Sequence, residues 1–560
     1  MGNSRDLLPL LAATEARTSL GDDRRRAVVL PAGTALSCRL GDLEPGELRC
    51  SIGPVMRDPP HDRRGQLELV LHERGHLVLA RRLVPVADAA AWIDLQVAIG
   101  RGARAAELEL HATGADIAIA SLRHVLRTSA PPRANVLLYV IDTLRPDHLS
   151  AYGYERPTAP VLEHLAGEGV LFTNAYSTAP WTRPATGSLL TSLYPSFHGA
   201  VRDRAMATEV TTIAERLRGA GLFTVAFVAN GNVSAPGLNF EQGFERFVSI
   251  VGSGAEGHAR SSEVNELVLP ALEPLQSEAF FLYVHAIDPH APYDAPAPYC
   301  DRFARGDYHG PVTPARTLQR DLVALQPAGE DLARVRDLYD QEIAYQDAML
   351  GALLDRLEEL GLSARTIVVV TSDHGEEFAE HGSFGHGRRL WEEQIRVPLV
   401  LRGAGIASPG ARIGRRVSLL DVVPTLLALL GVGGTTECQG HDLTPLLCGG
   451  ETALAATEDP LYCEERVDAD GERQIFSMVQ GPWKLILRQG KRELPMLFNL
   501  SDDPGEQHDL ASADPVRGRA LRDLLTAFPD RFPQPRLGEG PRFRADETTR
   551  RQLEALGYAR

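Results

Sequence analysis

The chain has 560 residues, 44% of them apolar, and a formal charge of −16. That apolar content builds two or three folded domains and not a disordered protein, and the acidic balance excludes nucleic acid or an anionic membrane as the main partner, since both demand a basic face. No stretch approaches the roughly 18 unbroken apolar residues of a membrane span, so no transmembrane segment is predicted.

The amino terminus, MGNSRDLLPLLAATEARTSLGDDRRR, has no charged start followed by a long apolar stretch and a cleavage site, so no export signal is expected, and residues 1–25 are read as a tail. Residues 26–130 alternate in short segments such as GQLELVLHE, WIDLQVAIG and AAELELHATG, separated by Gly, Pro and Asp turns, which predicts an antiparallel β-sandwich. That module is expected to pack on its neighbour or shape an entrance; with Trp92 as its sole tryptophan it offers no aromatic platform for carbohydrate. The Pro-rich SAPPRA (129–134) reads as a linker.

From residue 134 to about 435 the pattern changes. NVLLYVID and RTIVVVTSD are continuous apolar runs ending in an acid, the form of strands buried on both faces. Helical patterns fall between them in APVLEHLAGEG, VTTIAERLRGAG and DLARVRDLYDQEIAYQDAMLGALLDRLEELG. Alternating strand and helix predicts a doubly wound α/β domain. Residues 436–560 form a smaller subdomain with the strand-like RQIFSMVQ and WKLILRQ and a terminal helix, TTRRQLEALGYAR.

Ligands of such a sheet bind beyond the carboxyl ends of its strands, where Asp142, Asp373 and His374 fall. One strand-end Asp alone is as readily a cap or turn former. Two converging, one with an adjacent imidazole, point to a metal site, and that donor mix suits zinc or manganese better than calcium or magnesium. Thr182 opens the apolar run of STAPWTRPATGSLLTSLYPSFHGA, where it is either a nucleophile or a cap. The chain has only two lysines, Lys484 and Lys491, so upstream anions must meet arginine, histidine, backbone amides or metal. Six scattered cysteines allow a Cys38–Cys50 or Cys438–Cys448 bridge or remain thiols.

NVLLYVIDTLRPDHLSAYGY, APWTRPATGSLLTSLYPSFHG, FFLYVHAIDPHAPY, SDHGEEFAEHGSFGHGRRLWEEQIRVPLVLRG, LLDVVPTLLALLGV and LFNLSDDPGEQHDLA resemble, in sequence and in order, the sulfatase family of the alkaline phosphatase superfamily. The resemblance runs from about 134 to 560. It implies an α/β sandwich around a large mixed sheet with a carboxyl-terminal antiparallel subdomain. It also implies a catalytic divalent ion on Asp142, Asp373 and His374, with Thr182 as ion-bound nucleophile. His290 and His386 fall at positions that contact the ester oxygens, the leaving group or the transferred anion.

Departures from the family pattern matter as much. Sulfatases oxidise a Cys or Ser in C/S-x-P-x-R to formylglycine; here Thr182 stands for the Cys and Thr186 for the Arg, so no formylglycine is expected. Thr143 replaces the second aspartate of the usual pair. A threonine nucleophile resembles the phosphoryl-transferring branch, which implies cleavage or transfer of phosphate mono- or diesters. Arg183 and Arg388 are candidates to hold the substrate anion, and Asp288 with the two histidines leaves a second ion open. The alternatives are a sulfuric ester hydrolase without formylglycine and a non-catalytic binding protein on this fold. The expected substrate is a small-molecule, glycan-linked or lipid-linked phosphate or sulfate ester; the leaving group and the oligomeric state stay open. Relatives often work in the periplasm or outside the cell.

Overall fold

The computed structural model describes residues 134–250 and 259–449 almost without a break, most of 4–126, and 460–466, 474–489, 494–533, 540–545 and 547–555. The centre is a mixed sheet whose strands run, edge to edge, Ala411–Ser418, Val170–Tyr176, Arg396–Arg402, Thr366–Thr371, Asn135–Ile141, Phe280–Ala286, Phe223–Val228 and Arg246–Ser249. The four strands from Thr366–Thr371 to Phe223–Val228 are parallel, so their carboxyl ends share one edge. Arg396–Arg402 runs antiparallel to both of its neighbours, which makes the sheet mixed, as the family resemblance implies.

Asn135–Ile141, Phe280–Ala286 and Thr366–Thr371 are buried at every residue. Their side chains alternate between two cores. Leu138 and Val140 join Leu189, Ile213 and Leu426 on one face, while Leu137 and Ile141 join Leu162, Val264, Ile343 and Leu353 on the other. Each such side chain contributes about 1.5–3 kcal/mol by burial, so a slip of one residue, which would exchange the faces, is strongly disfavoured. The helices over these faces include the predicted Pro160–Glu168, Ile213–Gly219 and Glu330–Glu359.

Upstream, Ala35–Leu43, Ala103–Thr113, Gly65–Glu73 and Leu77–Val86 form one antiparallel layer, and Asp23–Leu30, Ile117–Leu126, Gly46–Pro54 and Ile93–Ile99 the other. Leu69, Leu108 and Leu110 meet Leu48, Ile52 and Ile119 between them. The second layer does not end at the module: Asp23–Leu30 pairs antiparallel with Arg246–Ser249, so the sandwich continues the central sheet. Charge explains how an arginine-rich strand can meet this edge. Arg25 and Arg246 are cross-strand neighbours, and Asp23 bonds both, at 2.9 and 3.0 Å. Within the stretch read as a tail, Ser4–Asp6 and Glu15–Leu20 pair with Ile117–Leu126 and Asp23–Leu30. These two segments therefore add strands to the sheet. Most of the SAPPRA linker lies outside the described residues.

The carboxyl-terminal region forms a meander of Leu461–Arg466, Gln474–Gln480, Trp483–Gln489 and Leu494–Asn499, with a terminal helix at Glu547–Ala555. All six cysteines are free thiols. Lys484 is wholly buried between Glu392 and Glu506, at 2.9 and 2.8 Å, and so ties the meander to the central module.

Candidate active site

Four parallel strands end on polar side chains that converge. After Asn135–Ile141 comes Asp142, and the chain turns sharply because Thr143 takes the left-handed conformation, φ 58°. Strain of that kind in a β-branched residue persists only where surroundings over-determine it. Here the Tyr339 hydroxyl donates to the Thr143 carbonyl at 2.6 Å, and Leu144 N donates to Ser372 Oγ at 2.9 Å. Ser372 in turn donates to the His374 carbonyl at 2.7 Å, which stitches the two acid-bearing strand ends together.

Asp373 spends Oδ1 on the amides of His374 (2.9 Å) and Thr143 (3.4 Å). Asp142 Oδ2 accepts from Asn230 Nδ2. Their other oxygens, Asp142 Oδ1 and Asp373 Oδ2, are buried without a hydrogen-bond donor among the described residues. His374 Nδ1 is engaged with the Gly375 carbonyl at 2.9 Å, which makes Nδ1 the protonated nitrogen and turns the lone pair of Nε2 toward the carboxylates, 3.5 Å from Asp142 Oδ1 and 3.5 Å from Asp373 Oδ2. Burial holds this ring neutral, its pKa lowered to about 3. Burial also opposes ionisation of Asp142, but the surrounding imidazoles outweigh it and keep that carboxyl below the usual range; Asp373, buried and next to the Asp142 charge, is pushed well above it.

Thr182 is the first residue of the wholly buried helix Thr182–Thr191. The helix is entered through Trp181 in an extended conformation, and no side chain caps it. The Thr182 hydroxyl lies 3.3 Å from His374 Nε2 and accepts from Asn230 Nδ2 at 3.3 Å. Asn230 itself is held by capping the short helix Gly231–Ser234, its Oδ1 accepting from Asn232 N at 2.7 Å. At Gly187 any Cβ would fall 2.5 Å from the His198 ring, so close packing of Thr182–Thr191 on that histidine requires glycine.

The His386 ring lies 4.4 Å from that of His374 and 5.1 Å from that of His290, centroid to centroid. His386 Nδ1 pairs with Glu376 Oε1 at 3.0 Å, and His290 Nδ1 donates to the Ala291 carbonyl at 2.7 Å. Burial lowers both imidazoles, His386 to about 4, and raises Glu376 to about 7.

The sequence-predicted residues Asp142, Thr182, His290, Asp373 and His374 thus gather in one buried cluster, with the partly exposed His386 against it. Arg183 does not join them. It donates to Asn232 Oδ1 at 3.2 Å and to the Arg202 carbonyl, and its guanidinium lies over the Trp181 and Phe543 rings, a packing role. Arg388 is exposed on the loop after His386. Asp288 also turns elsewhere, accepting from Ser261 N and Oγ at 2.8 and 2.7 Å. Arg202 instead stands near the site, 3.5 Å from the Gly387 carbonyl and 3.4 Å from Glu465. Sequence reasoning passed over Asn230, His285 and Glu376. The first two carry a usable signal, a polar residue at the carboxyl end of an apolar run, in FTVAFVAN and FFLYVHA.

The family model described as Sulfatase matches residues 134–432, more than half of the chain. The chain belongs to the sulfatase family, ester hydrolases of the alkaline phosphatase superfamily. A second family model, N-sulphoglucosamine sulphohydrolase, C-terminal, matches residues 379–524. The chain is 32% identical over 202 residues to Arylsulfatase K of Danio rerio, which covers 36% of this chain and 38% of that protein. It is 26% identical over 457 residues to Choline-sulfatase of Rhizobium meliloti, covering 71% and 86%. The phosphonate monoester hydrolase of Agrobacterium radiobacter superposes with a TM-score of 0.58 at 23% identity over 71% of this chain and 96% of that one, which shows the shared fold.

Proposed function

We propose that this protein is a divalent-cation-dependent hydrolase of phosphate mono- or diesters in which Thr182 is the nucleophile. The observation that carries the reading is the position of Thr182 Oγ1 beside His374 Nε2, within a cluster whose Asp142 Oδ1 and Asp373 Oδ2 are buried and unsatisfied. Buried carboxylate oxygens without donors are costly unless a cation answers them. Asp142, Asp373 and His374 offer ligand atoms within 4.8 Å of one another, so the residues present fit a divalent ion, with Thr182 Oγ1 as a further donor. Bound there, zinc or manganese would supply the positive charge that eases ionisation of a neighbouring hydroxyl and offsets charge developing on the transferred group.

The protein's own residues support the rest. Asn230 donates to Thr182 Oγ1 and so orients its lone pairs for attack. Thr182 loses its proton to solvent, Oγ1 forms the bond to phosphorus, and the bond to the ester oxygen breaks. His386 gives its Nε2 proton to the departing alkoxide and takes one at Nδ1 from Glu376, whose carboxyl burial raises to about 7, and His290, whose ring packs beside it, would meet the transferred oxygens. Water, or another hydroxyl in a transferase, then takes the phosphoryl group and restores Thr182. Threonine cannot become formylglycine, which favours phosphate.

A sulfate ester remains the second reading, favoured by the match to N-sulphoglucosamine sulphohydrolase. Side-by-side turnover of aryl phosphate, bis-aryl phosphate and aryl sulfate with Zn²⁺, Mn²⁺, Mg²⁺ and Ca²⁺ tests both. Phosphate turnover at least tenfold above sulfate upholds the first, the reverse upholds the second, and no turnover of any ester overturns catalysis.

A further inference from the structure

His285, wholly buried at the carboxyl end of Phe280–Ala286 between Val140 and Val228, has a ring nitrogen, Nε2, without a hydrogen-bond partner among the described residues. We propose that His285 Nε2 is a further ligand of the catalytic cation, which gives the site a second imidazole beside its carboxylate pair. This inference rests on the metal reading above.

The distances carry it. His285 Nε2 lies 3.6 Å from Asp142 Oδ2 and 3.9 Å from Asp373 Oδ2, close to the 3.5 Å that separates His374 Nε2 from each of the same two carboxylates. Such separations are too long for hydrogen bonds. They match the edges of a coordination shell: donors about 2.1 Å from one ion at tetrahedral angles stand about 3.4 Å apart.

The far side of the ring is built to present a lone pair. His285 Nδ1 and the Tyr283 hydroxyl are 2.8 Å apart. In the tautomer a cation would select, Nδ1–H donates to the Tyr283 hydroxyl and Nε2 carries the lone pair toward the carboxylates. An imidazole ligand whose other nitrogen is pinned by an outer partner is the common arrangement in metal sites. Two imidazoles also turn the donor set toward zinc, manganese or cobalt and away from calcium.

The test begins with the unaltered full-length protein, stripped with a chelator and reloaded with Cu²⁺ or Mn²⁺. Electron spin-echo modulation from imidazole nitrogen counts bound histidines: two uphold the proposal, one overturns it. Uptake of no ion at all overturns the metal reading together with it. In competition with a chromogenic chelator, His285→Ala and His285→Asn should lose Zn²⁺ affinity by about 100-fold or more and Tyr283→Phe by about 10-fold. The Co²⁺-loaded variants at position 285 should also change their visible absorption. Unchanged affinity and spectrum in a folded His285→Asn protein overturn the assignment while leaving Thr182, Asp142 and Asp373 untouched.

Discussion

Thr182 Oγ1 and His374 Nε2 stand 3.3 Å apart although 192 positions of chain separate them. The hydroxyl is directed into the acid–imidazole cluster, and Thr182–Thr191 begins without a side-chain cap. Replacing the side chain therefore removes chemistry and leaves the helix start intact. Thr182→Ala should lower kcat by about 10³-fold or more, with unchanged circular dichroism and retained metal. Thr182→Ser, which keeps the oxygen, should keep measurable turnover. Protein quenched during turnover should carry one phosphoryl group on the Thr182 peptide, and its absence from actively turning-over enzyme would count against a covalent route.

Asp142 and Asp373 are both fully buried, with one oxygen each lacking a donor. A bound divalent ion relieves that repulsion in the folded state only, so chelation should lower Tm. At a hundredfold excess of ion over Kd the gain is about 2.7 kcal/mol. Asp373→Asn should erase most of the difference between loaded and chelated protein in scanning calorimetry. Equal shifts in both proteins would show that the ion binds elsewhere.

What could be read beforehand was whatever local pattern encodes. The buried strands Asn135–Ile141 and Thr366–Thr371 announce themselves by unbroken apolar runs, and the acids at their ends follow from the rule that parallel strands bind ligands at their carboxyl edge. The partners of those acids were harder. Asn230 and His285 look like ordinary polar punctuation until sheet order brings Phe223–Val228 and Phe280–Ala286 beside Asn135–Ile141. Arg183 carries a charge that suggests an anion in the sequence, while the structure shows it donating to Asn232 and lying over Trp181 and Phe543. The continuation of the sandwich into the central sheet was invisible for another reason. Arg25 and Arg246 are 221 positions apart and carry the same charge, so only the acids around them make the pairing reasonable.

Gly187 connects packing to catalysis. A Cβ there would lie 2.5 Å from His198 Cε1, and His198 is fixed in turn by the Ala200 amide, which donates to Nδ1 at 3.1 Å. Gly187→Ala should cost about 1–3 kcal/mol by overpacking, read as a lower midpoint in urea, and should depress kcat by tilting the helix that carries Thr182. Adding His198→Ala should restore part of the stability, since it removes the ring that the new methyl strikes. If the single variant matches the wild type in both measurements, the helix is less constrained than this contact implies.

Lys484 shows where one of the two lysines went. Its ammonium is buried against Glu392 and Glu506. Burial alone would lower its pKa, but the two carboxylates outweigh that and raise it. Lys484→Met leaves the buried Glu506 without its cation beside the partly exposed Glu392 and should destabilise by about 3–5 kcal/mol; joining it to Glu506→Gln should recover part of the loss. Glu506 also sets a pH dependence. Burial, the largest influence, raises its pKa from 4.5 to about 7. A carboxyl whose folded value lies above its unfolded value binds more protons when folded, so its contribution is complete below pH 4.5 and is lost as pH climbs through about 7. Urea midpoints between these limits should fall with rising pH more steeply in the wild type than in Glu506→Gln. Parallel slopes would mean that Lys484 keeps Glu506 ionised throughout, with the triad acting as a fixed ion cluster across the range.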